Sequence, residues 1–268
     1  MDNNALERSI LKTLIYHQIF NYSLNLSELI RYLVEFPQLD PSLVQNQVLS
    51  IPQIISNNNL YFLKGNSLQK ELYQHRSWKL INKTIKFTKI LQTFPFVKLI
   101  AVSGSVAALN ASELNDIDLF IIVTKSRFNL WRKLVLLYFE SINERVNLNK
   151  NPEQNSGKFC LNYFLDDKLD AFTQKEQDLY TAMEIAHLKV IYNKDHTFQK
   201  FLKMNPWIKT FLPNFWQMSI SDWNFMGNDI DYVPQQTIVS NRWINDVRSK
   251  ILDQYDCELS KYNLKNNE

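Results

Sequence analysis

Leu99-Ile100-Ala101-Val102-Ser103-Gly104-Ser105 is followed shortly by Asn115-Asp116-Ile117-Asp118-Leu119-Phe120-Ile121-Ile122-Val123, and these two stretches decide the fold. The first reads as a buried strand ending in a small-residue turn, and the second as another strand with two aspartates at its entry. Side chains two apart on a strand share a face, so Asp116 and Asp118 aim their carboxylates at one spot. Packing does not call for two like charges there. A divalent cation relieves their repulsion, and Mg²⁺ takes one or two carboxylates together with phosphate oxygens. Gly104 lets backbone approach closely, and Ser105 adds a hydroxyl beside the free N–H groups of a short helix.

A strand, Gly-Ser, a short helix, a loop and Asp-x-Asp on a second strand resembles the nucleotidyltransferase superfamily typified by DNA polymerase beta. The resemblance covers about Val97 to Val123. It implies that Gly104 and Ser105 hold an incoming triphosphate, and that Asp116 and Asp118 are catalytic and bind Mg²⁺ or Mn²⁺. Such a kit serves phosphoryl or nucleotidyl transfer, where catalysis is mainly positioning and charge neutralisation. The bland reading is an ordinary turn and a loop carboxylate.

Composition sets the frame. The chain has 268 residues, 45% of them hydrophobic, enough for a sizeable core and one to three domains. A formal net charge of +3 gives no global field toward nucleic acid or an anionic membrane. The two cysteines, Cys160 and Cys257, have no CxxC spacing, so neither a disulfide framework nor a structural zinc site is expected. No apolar run reaches membrane length, and Met1-Asp2-Asn3-Asn4 lacks a signal-peptide pattern; the expectation is a cytoplasmic chain with no membrane partner.

Along the chain, Leu6, Ile10, Leu14 and Ile15 mark a first helix, and Leu29, Ile30 and Leu33 a second. Asp40-Pro41 caps a third. An Asn-rich turn and the strand Leu60-Tyr61-Phe62-Leu63 complete a winged-helix pattern. Ser42 to Ile55 contains no Lys or Arg, which leaves a DNA role without phosphate anchors; a structural or docking role is the alternative. A long helix from Ser67 to Thr93 is expected to bury Leu72, Ile81, Ile85 and Thr88. Its stripe of Arg76, Lys79, Lys83 and Lys86 is either a nucleic-acid contact or a solvated face.

Beyond the aspartates, a helix from Ser126 to Glu144 is expected to turn Leu130, Leu134, Leu137 and Ile142 inward, with Arg132 or Lys133 free for a phosphate. Lys158 to Leu165 reads as a third strand. The superfamily usually carries a third carboxylate there, and Asn162 stands at the matching place; an amide cannot take a proton at neutral pH. Asp166, Asp167 and Asp170 are the candidate substitutes, or turn residues. The remainder reads as helical, with His187 a packed residue.

The resulting expectation is α+β: a small mixed-sheet nucleotidyltransferase core flanked by helices, with a winged-helix-like domain and a helical C-terminal extension. The boundaries are 1–66, 67–94 (connecting helix), 95–175 (core) and 176–268. The activity implied by the resemblance is Mg²⁺-dependent transfer of a nucleoside monophosphate from a triphosphate to a hydroxyl on a protein, an RNA or a small molecule. The alternative is a catalytically degenerate protein of that fold, binding nucleotide or nucleic acid.

Overall fold

A computed structural model describes residues 3–64, 70–147, 149–168, 172–221, 238–240 and 242–264. The chain is α+β, built around a five-stranded mixed sheet. It begins with α1 (Asn3–Ile19), β1 (Leu24–Asn25), α2 (Leu26–Arg31), α3 (Pro41–Ser50), β2 (Ile54–Asn57) and β3 (Leu60–Leu63). Local chemistry sets these ends. Asn25 caps α2 in a reciprocal box with Glu28, and Asp40 accepts from the Ser42 and Leu43 amides. The strands form a small antiparallel sheet in the order β1-β3-β2.

The long helix α4 (Lys70–Gln92) leads into β4 (Val97–Ser103), the single turn α5 (Gly104–Ala107) and β5 (Ile117–Val123). Then follow α6 (Phe128–Ser141), α7 (Pro152–Asn155) and β6 (Phe159–Asp166). β5 lies antiparallel to β4 and parallel to β6, as expected when β6 returns by a helical crossover. The stretch expected to be helical throughout contains α8 (Leu179–His187), α9 (Thr197–Met204), α10 (Ile208–Phe211), α11 (Pro213–Ser221) and α12 (Arg242–Lys261). It also gives two strands to the central sheet, which corrects that expectation. β7 (Lys189–Asn193) pairs with β4, and β8 (Ile238–Ser240) pairs with β6, in the order β7-β4-β5-β6-β8.

The alternation of β4 and β5 feeds two cores. Val97, Ile100, Val102, Ile117, Leu119 and Ile121 face α4, α5 and α6. Leu99, Ala101, Phe120 and Ile122 face the other way, into a core shared by α1–α3 and α8–α12. Both ends of the chain meet in that core: Tyr16 packs edge-on against Tyr255 with ring centres 5.9 Å apart. Asn214, fully buried, ties α11 to the loop after α2; it donates to the carbonyls of Ile30 and Gln38 and accepts from the Gln38 amide. His17 and His187 are also buried there, ring centres 5.6 Å apart, with Tyr32 against His187. His187 is thus a packed residue.

Two helices carry a different inner face from the one expected. On α4, Ile81 and Thr88 are buried but Leu72 and Ile85 are exposed; Leu80 and Leu91 fill the core instead. On α6, Leu130, Leu134, Leu137 and the following Ile142 are exposed, and Phe128, Val135 and Phe139 pack inward. Among the described residues no helix is long and apolar enough to cross a membrane.

Candidate functional site

The ends of β4 and β5 meet through register. Ser103 stands opposite Asp118, and Gly104 begins α5 immediately after it. Gly104 has φ +64°, a left-handed conformation that disfavours a side chain. A Cβ there would lie 2.5 Å from Asp118 Oδ2. The glycine thus answers both a backbone need and a close approach by the carboxylate. Asp116 and Asp118 meet as expected, and Ser105 lies at the same edge, part-exposed.

The third member is Cys160. It is the register partner of Asp118 across the parallel β5–β6 pair. One ligand atom each from Asp116, Asp118 and Cys160 lie within 4.8 Å of one another, and all three residues are part-buried. These three could hold one metal ion. Burial raises the Asp116 carboxyl above the usual carboxylate range. Burial also raises Asp118, with the charges of Asp116 and Glu184 adding to it and the Cys160 thiol acting against it as a donor. The thiol itself is pushed up by burial and by the two aspartates. Asp118 Oδ1 is buried without a hydrogen-bond partner. Such a group calls for a cation or a proton.

Asn162 has no register partner on β5: it is the extra residue where the β5–β6 pairing shifts, between Leu119–Leu161 and Phe120–Tyr163. Its side chain reaches across to Ser103 Oγ at 3.4 Å, and its carbonyl oxygen is buried without a partner. Asp166 and Asp167 sit at the other end of the sheet. Asp166 pairs with Val123, six residues along β6 from Cys160, or about 20 Å. Their carboxylates accept from the Lys168 and Lys125 amides respectively, so both act as turn residues. Asp170 lies outside the described residues. Arg132 and Lys133, near the start of α6, also belong to the far end, since α6 begins just after β5 finishes.

A carboxylate does reach the site from elsewhere. Glu184 on α8 accepts the Gly104 N–H, and burial pushes its carboxyl up to about 7. Nothing in the apolar run Leu179 to Leu188 singles it out, beyond being an acid on a helix otherwise buried over most of its length. Ser103, Phe120, Tyr163, Thr181 and Glu184 line a narrow space between α8 and the sheet.

The basic stripe of α4 is largely committed to the protein itself. Arg76 donates to the carbonyls of Ser112 and Glu113 and to Ser156 Oγ. Lys83 pairs with Glu144 at 2.6 Å and donates to the Gly157 carbonyl. Only Lys79 and Lys86 of the four stand exposed. The bonds of Arg76 fix the loop delivering Asp116, which is further held by Ser112 donating to Asn115 Oδ1 and by Gly157 donating to the Asn115 carbonyl. Comparison with known proteins adds no assignment: no protein-family model matches the chain, and no curated protein matches it.

Proposed function

We propose that the chain is a nucleotidyltransferase of the DNA polymerase beta type, moving a nucleoside monophosphate from a triphosphate to a hydroxyl acceptor. The observation that carries this reading is the fit of Gly104 against Asp118 beside Asp116, which joins the Gly-Ser turn and the acidic pair at the adjoining ends of β4 and β5. In the reaction the acceptor hydroxyl oxygen bonds to the α-phosphorus as its proton passes to solvent, and the bond from that phosphorus to the oxygen of the leaving pyrophosphate breaks. Asp116 and Asp118 would hold Mg²⁺ or Mn²⁺; the unpartnered Asp118 Oδ1 and two hard oxygen donors suit such a cation. When bound, the metal supplies neutralisation of phosphate charge. Ser105 offers its hydroxyl and amide to the phosphates, and Gly104 keeps the backbone close to Asp118.

A second reading, a binder of nucleotide with little turnover, draws on two observations. Asn162 stands where the resemblance implies a third carboxylate, and Glu184 already bonds the Gly104 amide. A positioned general base contributes about 10²–10⁴-fold, so transfer without one is slow. The order α1-β1-α2-α3-β2-β3 supports a winged-helix reading of the first unit. The exposed positions of α3, among them Leu43, Gln45 and Leu49, include no cation, which favours a structural role over DNA binding.

The test is calorimetry with a panel of Mg²⁺-nucleoside triphosphates, alongside pyrophosphate release. The Asp116→Asn/Asp118→Asn double variant should lose metal-dependent binding while keeping its circular dichroism. Equal binding by the variant sinks the reading.

A further inference from the structure

We propose that Cys160 is a metal ligand, and that the centre it forms with Asp116 and Asp118 prefers a thiophilic divalent cation of the Zn²⁺ class over Mg²⁺. The inference rests on the reading that the aspartate pair holds a cation. It goes further by naming a third donor of different chemistry.

Geometry comes first. Ligand atoms of the three residues lie within 4.8 Å of one another. A tetrahedral ion with metal–sulfur and metal–oxygen distances of about 2.3 Å and 2.0–2.2 Å holds its ligands about 3.5 Å apart, so the three donors would draw together by up to about 1 Å on binding. Cys160 is fixed there by the parallel register with Asp118, not by a mobile loop.

Two orphaned groups point to a ligand. Asp118 Oδ1 is buried with no partner. Asn162, 5% exposed, stretches over β5 to Ser103, which is the register partner of Asp118, so its amide crosses the strand beside that carboxylate. Its Oδ1 is likewise unpartnered. Buried polar atoms in native proteins are rarely left without a partner, and here two stand around one spot.

Donor chemistry then decides the metal. Two carboxylates alone suit Mg²⁺ or Mn²⁺, whereas a thiolate favours softer ions and is disfavoured by Mg²⁺. The thiol donates to Asp118 in the metal-free protein. On binding, the sulfur–metal bond replaces the S–H bond, and the proton passes to solvent. Asp118 is then freed from the thiol to face the ion.

The probe is Cd²⁺, titrated into the full chain carrying Cys257→Ser so that the exposed second thiol cannot contribute. The thiolate-to-Cd²⁺ charge-transfer band should saturate at one equivalent. Cys160→Ser should abolish the band and lower the ratio of Zn²⁺ to Mg²⁺ affinity at least about tenfold. A direct ligand matters no less than an outer partner, whose loss costs 10–100-fold. Cys160→Asp should invert the preference toward Mg²⁺ and Mn²⁺. The band needs no substitution at Cys160, so it remains decisive if either variant folds poorly. An absent band, with Mn²⁺ still bound in an aspartate-dependent way, overturns the role of Cys160 and leaves the aspartate site standing. Absence of any divalent binding overturns both.

Discussion

Gly104 leaves only enough room for Asp118: a single added methyl carbon would overlap Asp118 Oδ2 at 2.5 Å. Gly104→Ala should therefore cost about 1–3 kcal/mol from the left-handed backbone and also displace the carboxylate. Mn²⁺ affinity by calorimetry should fall together with the denaturation midpoint. Gly157 is the control. Its φ is +68°, but a Cβ there meets only the tip of Leu80, at 3.3 Å. Gly157→Ala, which can act only through the Asn115 loop that Gly157 helps to hold, should lower stability and reduce Mn²⁺ affinity less than Gly104→Ala; equal affinity loss in both would remove the special role of Gly104.

Arg76 is expected to act on the site without touching it. Its three bonds hold the loop that delivers Asp116. Arg76→Gln should weaken Mn²⁺ binding roughly 10–100-fold, the range for lost outer-shell support. Lys79→Gln and Lys86→Gln should not change it. If binding to a single-stranded polyanion responds to all of these changes with a reduced salt slope, the stripe is a nucleic-acid contact.

Acid should loosen the junction of α1 and α8. Burial holds His17 down to about 4, while in the unfolded chain it titrates near 6.5. The unfolded state therefore binds the extra proton first as pH falls. Stability is complete above 6.5 and drains away between 6.5 and 4, by about 3 kcal/mol for this group. Chemical denaturation of His17→Phe should show a shallower loss over that window. An unchanged slope would clear His17 of the effect.

Asn214 binds the two ends of the chain through one amide. Asn214→Leu removes the three hydrogen bonds that Asn214 makes to the Gln38 amide and to the carbonyls of Ile30 and Gln38 in the core. A buried bond lost in this way costs about 1–3 kcal/mol, so a loss of several kcal/mol is expected from the urea midpoint. A loss under about 1 kcal/mol would mean that water reaches these groups.

The strands β4 and β5, their aspartates and the cap at Asp40 were all legible in the sequence, because each rests on a local rule of period or hydrogen bonding. The inner face of α6 was not. Its leucines and its aromatics both repeat at helical spacing, and only the size of the space against Phe159 and Phe164 chooses Phe128, Val135 and Phe139. Cys160 escaped because its partners are distant in sequence and meet it only through the parallel pairing of β5 with β6. Glu184 escaped for a similar reason: its role is defined by Gly104, which reaches it only in the folded chain. β7 is too short and too close to α8 for periodicity to separate it from the helix before it.

The core that unites α1–α3 with α8–α12 has a consequence for biosynthesis. Its first contributors emerge from a ribosome long before its last. The stretch from residue 123, the end of β5, to residue 215 takes roughly 5–20 s to polymerise at 5–20 residues per second. Throughout that interval the greasy side of β4 and β5, with Leu99, Phe120 and Ile122, waits for the cover of α8–α11. The nascent chain therefore spends its youth with an uncovered sheet, and its safety depends on chaperone shelter or on the speed with which the last helices arrive.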